Sequence, residues 1–322
     1  MDKCIGLFAV LQTLITQSDK DHPIKRSKIT QTLQNDYDIT IERRYFYRIR
    51  TILDCLGFSS EYDESRKGYY LDPPIFSRGE ELMIWNAIHS ARFLSQSESN
   101  SLLNKMNRFC SCHHYNEYRQ TVYYPNPKKT QNSELMHNIE IAEEAIRLGK
   151  KMSFYYLHYN KELKLECSSN DSTVIEPRYI VYQDAKPYLI ATGRKGKNLT
   201  HYRLDRMSNA VISSINSDPN FNTQDAYEYA DNKLFMFSGP LTKVTIKCQK
   251  RILDTMVDLF GTEMILFEPD ADHYQFSVTV NENGIVYLAQ QFLDVIEIVE
   301  PETIRSVIQA RLCSAYSNYL EC

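Results

Sequence analysis

The hydrophobic period of this chain changes near Lys151, and this change limits the folds open to it. Before that point apolar residues recur at helical spacing, as Leu7, Leu11 and Leu14 do near the start. After it, short segments rich in β-branched and aromatic residues alternate with turns: KMSFYYLHY, TVIEPRYIVYQ, KPYLIATG, THYRLDRM and NAVISSI. Short strands spaced in this way favour a small β-barrel. The sequence therefore predicts an α+β multidomain protein with a helical first part.

The first 72 residues have the order of a winged helix-turn-helix domain. Helices are predicted over residues 4–17, around Ile29 and Leu33, and from an N-cap at Thr40 to Leu56, where Gly57 ends the helix. The stretch that follows predicts a two-stranded ribbon with its turn at residues 64–68. Three helices and then a ribbon is the winged helix-turn-helix order.

The remaining chain divides at proline-rich and polar stretches. Capping boxes that begin at Ser77 and Ser95 predict two linker helices, residues 110–132 are polar and predicted to be irregular, and a helix over 133–148 leads into the strands. The C-terminal part predicts the ferredoxin-like order of strands and helices. The predicted domains are a winged helix-turn-helix at 1–72, a helical linker at 73–132, a β-barrel with its leading helix at 133–222, and an α+β domain at 223–322.

Composition limits the class of protein. A chain of 322 residues with 43% hydrophobic and 24% charged residues is expected to form two or three globular domains. No stretch approaches the roughly eighteen apolar residues of a membrane helix, and the N-terminus lacks the features of a signal peptide. We therefore expect a cytoplasmic protein without a membrane partner.

Enzymatic and metal-binding motifs are missing from the sequence. Neither a Walker loop, a dinucleotide fingerprint, a nucleophile elbow nor a His-Glu-x-x-His helix occurs, so the chain is not predicted to be an enzyme. The CSCHH stretch at residues 110–114 lacks the second cysteine pair of a structural zinc site. No metal and no cofactor are predicted.

The predicted third helix is locally basic, although the whole chain has a net charge of −4. Residues 41–50 hold four arginines and one glutamate, a local charge of +3. Phe46, Ile49, Ile52, Leu53 and Leu56 share a face that is predicted to be buried. Arginine suits phosphates and the guanine edge, and tyrosine can contact phosphates or thymine methyl groups. The alternative is a solvated face, which usually mixes signs and prefers lysine and glutamate. The predicted DNA contacts are Arg43, Arg44, Tyr47, Arg48 and Thr51 on the helix, and Arg66 and Lys67 at the ribbon tip.

These segments together resemble one family. RRYFYRIRTILDCLGF followed by GYYL resembles the DNA-binding domain of the WYL-family transcriptional regulators, with matches at Arg44, Phe46, Arg48, Leu53, Leu56, Gly57 and Phe58. PYLIA resembles the Trp-Tyr-Leu signature, with Pro187 in place of tryptophan, and YRLDRM resembles the Phe-Arg-Leu-Asp-Arg-Ile segment. VIEIVEPETIRSVIQARL resembles the end of the WCX extension, with Ile304 for leucine. The resemblance implies an Sm- or SH3-like barrel that binds a negatively charged effector, either a nucleotide or a nucleic acid.

The predicted effector site lies on the hairpin that follows Lys186. Strand alternation places Arg203 and Asp205 on one face, with Leu204 and Arg206 on the other. Asp205 could orient a neighbouring arginine, and Tyr188 could offer a stacking face to a base. The alternative is that these charges only form structural ion pairs. The predicted effector residues are Tyr188, Arg194, His201, Arg203, Asp205 and Arg206.

Two main hypotheses for the function follow. The first is a homodimeric transcriptional regulator that binds double-stranded DNA at a specific sequence and responds to an anionic effector. The second is an accessory factor, linked to defence or DNA damage, that binds single-stranded nucleic acid or protein without operator specificity. A hydrolase of unrecognised type is a third alternative.

Overall fold

In the computed structural model, which describes residues 2–122, 128–193, 199–219, 234–237 and 239–320, the chain divides into two units, 1–133 and 134–322. The first unit begins with three helices and a hairpin. These elements are α1 (Asp2–Gln17), α2 (Arg26–Tyr37), α3 (Arg43–Cys55), β1 (Ser60–Asp63) and β2 (Gly68–Leu71). Strands β1 and β2 are antiparallel, and Ile24 forms a further antiparallel bridge with Tyr69 of β2. The hairpin is thereby fixed to the segment between α1 and α2.

Helix α3 buries a narrower stripe than its sequence predicts. Phe46, Ile49 and Leu53 are fully buried, but 36% of Ile52 and 60% of Leu56 are exposed, so their predicted burial was wrong. At 100° per residue Ile52 lies at the edge of the buried arc, and Leu56 follows the last helical residue.

The predicted start of α3 was wrong, whereas its predicted end is confirmed. Thr40 is not the N-cap, because the helix begins at Arg43 and the Thr40 hydroxyl donates to Gln34 Oε1 instead. At the other end Gly57 has φ +84°, and the amide of Phe58 donates to the carbonyl of Leu53 at 2.8 Å. This left-handed residue and its six-to-one hydrogen bond form a Schellman motif, so Gly57 ends the helix as expected.

Three more helices follow among the described residues of the first unit: α4 (Arg78–Ser90), α5 (Gln96–Met106) and α6 (Cys112–Thr121). Both predicted capping boxes are present, with Ser77 and Glu80 at α4 and Ser95 and Glu98 at α5. Helix α6 corrects the prediction that residues 110–132 are irregular. Its sequence has no apolar period, but Ser111 caps it and the side chains of His114 and Tyr118 are buried. Polar contacts with the rest of the unit thus replace the missing hydrophobic stripe.

The second unit begins with α7 (Leu135–Arg147) and a six-stranded antiparallel sheet. The strands are β3 (Lys150–Tyr159), β4 (Leu165–Cys167), β5 (Thr173–Gln183), β6 (Lys186–Thr192), β7 (Leu199–Arg203) and β8 (Met207–Asn216). Their order is β4-β3-β5-β6-β7, and β8 pairs with β3. The short strand β4 was not predicted. Met152, Phe154, Leu189, Leu204 and Met207 are fully buried and form part of the core of this region.

The C-terminal part of the second unit has its own four-stranded sheet. Its elements are β9 (Leu241–Gln249), α8 (Leu253–Phe260), β10 (Phe267–Asp270), β11 (His273–Asn281), α9 (Glu282–Gln291), β12 (Ile296–Glu300) and α10 (Glu302–Leu320). The strands are ordered β10-β11-β9-β12, and every pair is antiparallel. Up to β12 this is the βαββαβ order, with α10 added after it. Val244, Ile246, Phe276, Ile285 and Leu288 lie at the centre of the core.

Across the described ranges, none of the helices combines the length and apolar character needed to cross a membrane.

Candidate nucleic-acid interface and ligand site

The exposed side of α3 carries every helix residue that the sequence analysis assigned to DNA. Because Phe46, Ile49 and Leu53 are buried, the intervening positions of the helix point to solvent. These exposed residues are Arg43, Arg44, Tyr47, Arg48 and Thr51. The helix therefore presents three guanidinium groups and one phenol on a single surface, which we call the α3 basic face.

Tyr47 is part of a small aromatic network on this face. The guanidinium carbon of Arg43 lies 5.9 Å from the centroid of its ring, and the hydroxyl of Tyr69 donates to its hydroxyl at 3.4 Å. The hydrogen bond from Tyr69 lowers the pKa of Tyr47, whereas burial raises the pKa of Tyr69 to about 12. The phenol oxygen of Tyr47 is therefore held in place by a neighbour that stays protonated.

Arg50 and Thr51 have structural partners. The Nε of Arg50 donates to the hydroxyl of Ser60 at 2.8 Å, and its guanidinium lies 4.7 Å from the ring centroid of Tyr69. These contacts join α3 to the hairpin. The hydroxyl of Thr51 donates to the carbonyl of Tyr47 at 3.3 Å, so its proton is used within the helix.

The two residues predicted at the hairpin tip differ in how they are placed. Arg66 donates through Nη1 to the carbonyls of Lys20 at 2.9 Å and Asp21 at 2.8 Å. Lys67 is exposed and has φ +55°. Arg66 therefore joins the tip to the loop after α1 although its side chain is half exposed, and Lys67 beside it also faces solvent.

In the second unit the alternation predicted for Arg203 to Arg206 was wrong. Strand β7 ends at Arg203, and Leu204–Arg206 form a turn of 3₁₀-helix before β8. As a result Leu204 and Asp205 are both buried, at 0% and 1% exposure, although alternation would separate them. Asp205 accepts two hydrogen bonds from Arg203, from Nε at 2.9 Å and from Nη2 at 2.6 Å. Burial opposes the charge on Arg203, but this pairing raises its pKa overall.

Tyr188 does not offer the open stacking face that was predicted. Only 7% of it is exposed, and it packs in a cluster with Ile190 and Met236. Its ring meets that of His201 edge to face, with the centroids 5.9 Å apart. Burial raises the pKa of Tyr188. The correction has a simple cause, since Met236, which lies just before β9, packs against Tyr188.

Two tyrosines on β3 were missed by the sequence analysis. The guanidinium of Arg206 lies 4.8 Å from the ring centroid of Tyr159, which is 43% exposed. Tyr156 accepts from the backbone amide of Arg203 at 3.3 Å, and burial raises its pKa. The run of aromatic residues in β3 is visible in the sequence. Only the pairing of Tyr156 with Met207, however, places this run beside the 3₁₀ turn Leu204–Arg206. Arg194, the remaining predicted effector residue, lies outside the described residues.

Among the described residues of this site, Arg206 is the cation that is free to meet an anion. Within the described ranges it forms no ion pair with a carboxylate, whereas Arg203 is neutralised by Asp205. An unpaired guanidinium that lies over a partly exposed tyrosine ring can bind a phosphate, and the exposed part of the ring can contact an adjacent base. We call Tyr159 and Arg206 the β3 pair.

A buried asparagine fixes the turn that carries these charges. Asn138 on α7 donates through Nδ2 to the carbonyls of Leu204 at 3.0 Å and Met207 at 2.8 Å. It is fully buried, and no sequence pattern marked it. Its position shows that α7 is part of the site's support.

No three or more His, Cys, Asp or Glu side chains are grouped to hold a metal ion in the part of the chain that the structure describes. In the CSCHH stretch Cys110 and His114 are buried, while Cys112 is exposed.

The match to a known family lies in the second unit. Residues 137–212 match the family model of the WYL domain. No curated protein matches the chain.

Two solved structures are similar over most of the chain. Proteasome accessory factor B/C (PafBC) of Arthrobacter aurescens is 13% identical, with a TM-score of 0.26, over 98% of this chain and 47% of that one. The chain thus spans about half the length of that structure. A CRISPR Cas-related protein is 10% identical, with a TM-score of 0.38, over 98% and 92% of the two chains. The match to the family model includes Asn138, Arg203 and Asp205, and the chain therefore carries a WYL domain over residues 137–212.

Proposed function

We propose that this protein is a DNA-binding regulator whose WYL domain responds to an anionic effector, a nucleotide or a nucleic acid. The observation that carries the proposal is the α3 basic face, on a helix that follows α2 across a short turn and is joined to a hairpin by Arg50. A helix in this position can enter the major groove, where arginine contacts phosphates and guanine.

The α3 basic face is well suited to duplex DNA. Three arginines point outward from one helix, and the residues that anchor the helix lie on its other side. Phosphate contacts of this kind supply affinity that falls steeply with salt. We further propose that the protein acts as a homodimer, so that two such helices contact two half-sites.

The effector part of the proposal depends on the β3 pair. Arg206 offers positive charge beside the exposed ring of Tyr159, and the Arg203–Asp205 pair next to it sets the shape of the turn. An effector changes DNA affinity only by the difference in its own affinity for the two states of the protein.

The test uses fluorescence anisotropy of the full chain on the duplex upstream of its own gene, a shuffled duplex and a single-stranded oligonucleotide. Specific binding is expected to exceed that of the shuffled duplex by ~10³-fold. An Arg44→Glu, Arg48→Glu double variant should lose duplex binding. The control is Lys105→Glu, Arg108→Glu, which makes the same change in charge at two exposed positions of the same unit.

The outcomes separate the two hypotheses. If both double variants lost duplex binding equally, only the overall charge of the protein would matter for binding. The proposal that α3 contacts DNA would then be wrong. Preference for the single strand, lost in an Arg206→Ala variant and kept in Arg44→Glu, Arg48→Glu, would favour the accessory-factor hypothesis. The exposed ring of Tyr159 is the feature that supports this alternative.

A further inference from the structure

The first unit contains a cavity that is separate from the α3 basic face. Its volume is about 290 Å³, at the lower end of the range of small-molecule sites. One wall comes from α1 and the loop after it, including Leu14 and Asp19. The rest of the lining includes Ile75 from the segment before α4, Glu81 from α4 and His114 from α6. The cavity therefore lies between two parts of the same unit.

Two buried carboxylates and a histidine form the polar end of the cavity. His114 contacts Glu81 Oε2 through Nδ1 at 2.7 Å, and its Nε2 lies 3.6 Å from Asp19 Oδ2. Glu81, Asp19 and His114 are 2%, 9% and 6% exposed. Charged groups this deep in a protein are costly unless each has partners.

The two carboxylates differ in how well they are satisfied. Asp19 Oδ2 accepts from the hydroxyl of Ser111 at 2.7 Å, and Oδ1 accepts from the backbone amides of Asp21 and His22 at 2.9 and 2.8 Å. Burial would raise the pKa of Asp19, but these hydrogen bonds lower it. Both oxygens of Asp19 are therefore occupied.

The strong donors to Glu81 are gathered on one of its two oxygens. His114 and the hydroxyl of Tyr118 both bind its Oε2, the latter at 3.1 Å. Within the described ranges no nitrogen or oxygen donor reaches Oε1, and Glu81 lines the cavity. The thiol of Cys110, a weak donor, also hydrogen-bonds Glu81, and burial together with this carboxylate raises the pKa of the thiol to about 12. Because Glu81 lines the cavity, a stronger donor that enters the cavity can bind its carboxylate.

The cavity lining carries an excess of negative charge. Four carboxylates line it, those of Asp19, Asp21, Asp72 and Glu81, against Lys20, Arg78 and His114. Arg78 is already paired with Asp21 at 3.4 Å and with Glu117. The excess remains even when His114 is protonated.

We propose that this cavity binds a small organic amine, with its ammonium group on Glu81 Oε1 and its apolar body among the aliphatic side chains of the cavity. The ammonium group supplies a strong donor to Glu81 and a positive charge that offsets the excess of carboxylates in the lining. Leu14, Ile15 and Ile75 supply the apolar contact. The proposal is independent of the proposed function, because it concerns neither the α3 basic face nor the WYL domain.

The test is a titration of the full-length protein with benzylamine, benzyl alcohol and benzoate. Trp85, the single tryptophan of the chain, lies one helical turn after Glu81 and packs in a cluster with Cys110. Its fluorescence therefore reports occupancy, and calorimetry gives an independent affinity. Benzylamine is expected to bind saturably, at least about tenfold more tightly than benzyl alcohol, since a charged hydrogen bond is lost in the alcohol. Benzoate should not bind.

Three variants locate the site. Glu81→Gln should weaken benzylamine binding at least about tenfold. The control Glu143→Gln changes an exposed glutamate of the second unit and should leave the affinity unchanged. Ile75→Trp fills the cavity from a partly exposed position and should abolish binding, measured by calorimetry because it adds a tryptophan. Equal affinities for amine and alcohol, or benzylamine binding that survives Ile75→Trp, would overturn the proposal. If Glu81→Gln does not fold, the ligand series and Ile75→Trp decide it.

Discussion

The guanidinium of Arg203 donates two hydrogen bonds to the carboxylate of Asp205, and only one residue separates the two in the sequence. Strand alternation would place Arg203 and Asp205 on one face and Leu204 on the other. The 3₁₀ turn Leu204–Arg206 instead buries both Leu204 and Asp205, and Asn138 holds that turn from α7. The charge arrangement of the WYL domain therefore depends on a break in the strand.

The Arg203–Asp205 pair should contribute measurably to stability. Asp205→Asn removes the charge from a carboxylate that is 1% exposed and leaves a half-buried guanidinium without its partner. We expect a loss of about 3 kcal/mol, seen as faster hydrogen exchange in peptides from the second unit. Asp171→Asn, at an exposed position of the same domain, is the control. Similar exchange in the two variants would show that the pair adds nothing.

Asn138 should act on the turn through its amide donors. Asn138→Ala leaves the carbonyls of Leu204 and Met207 without these bonds, at a cost of about 2 kcal/mol. Asn138→Asp should cost more, because it points a carboxylate at the same carbonyls. Hydrogen exchange of residues 203–208 measures both effects, and Glu140→Ala on the exposed side of α7 is the control. An Asp variant as stable as wild type would contradict the assigned contacts.

Gly68 should be indispensable to the hairpin of the first unit. A Cβ at this position would lie 2.6 Å from the backbone carbon and oxygen of Pro23, so the Ile24–Tyr69 bridge must shift. Gly68→Ala is expected to cost about 2 kcal/mol of unfolding free energy, followed by Trp85 fluorescence in denaturant. Gly79→Ala near the start of α4 meets no atom within 4 Å and should be neutral or slightly stabilising. Equal effects at the two glycines would contradict this packing.

His114 should make the stability of the first unit fall as pH rises. Its hydrogen bond to Glu81 raises its pKa, with further support from the charge of Asp19, although burial and Arg78 oppose this. Tyr118 lies nearby and stays protonated, because burial raises its pKa. A raised pKa in the folded state adds stability that is full below the unfolded value of about 6.5 and disappears as pH rises through the folded value.

The measurement is Trp85-detected unfolding between pH 5.5 and 9. Wild type should lose stability across the range above about 6.5, and His114→Gln should flatten that part of the curve. His137→Gln in the second unit is the matched histidine control and should not change the curve for the first unit. A wild-type curve that rises with pH above neutrality would contradict the raised pKa of His114.

The sequence by itself determined the features that local chemistry controls. The capping boxes at Ser77 and Ser95 are visible as Ser-x-x-Glu, and Gly57 ends α3 because glycine adopts positive φ without strain. The change of hydrophobic period near Lys151 separates the helical first unit from the strands of the second. The motif residues of the WYL domain were likewise recognisable in the sequence, because they are close together in the chain.

Only the tertiary structure decided what depends on distant partners. Residues 112–121 have no apolar period, yet they form α6 because Ser111 caps them and Glu81 accepts from His114 and Tyr118. Tyr188 lost its predicted open face because Met236, far along the chain, packs on it. Arg203 and Arg206 look alike in the sequence. In the folded chain Arg203 pairs with the buried Asp205, whereas Arg206 lies over the ring of Tyr159. Side-chain charge and shape are local properties, whereas solvation and partners are set by residues that meet only in the folded chain.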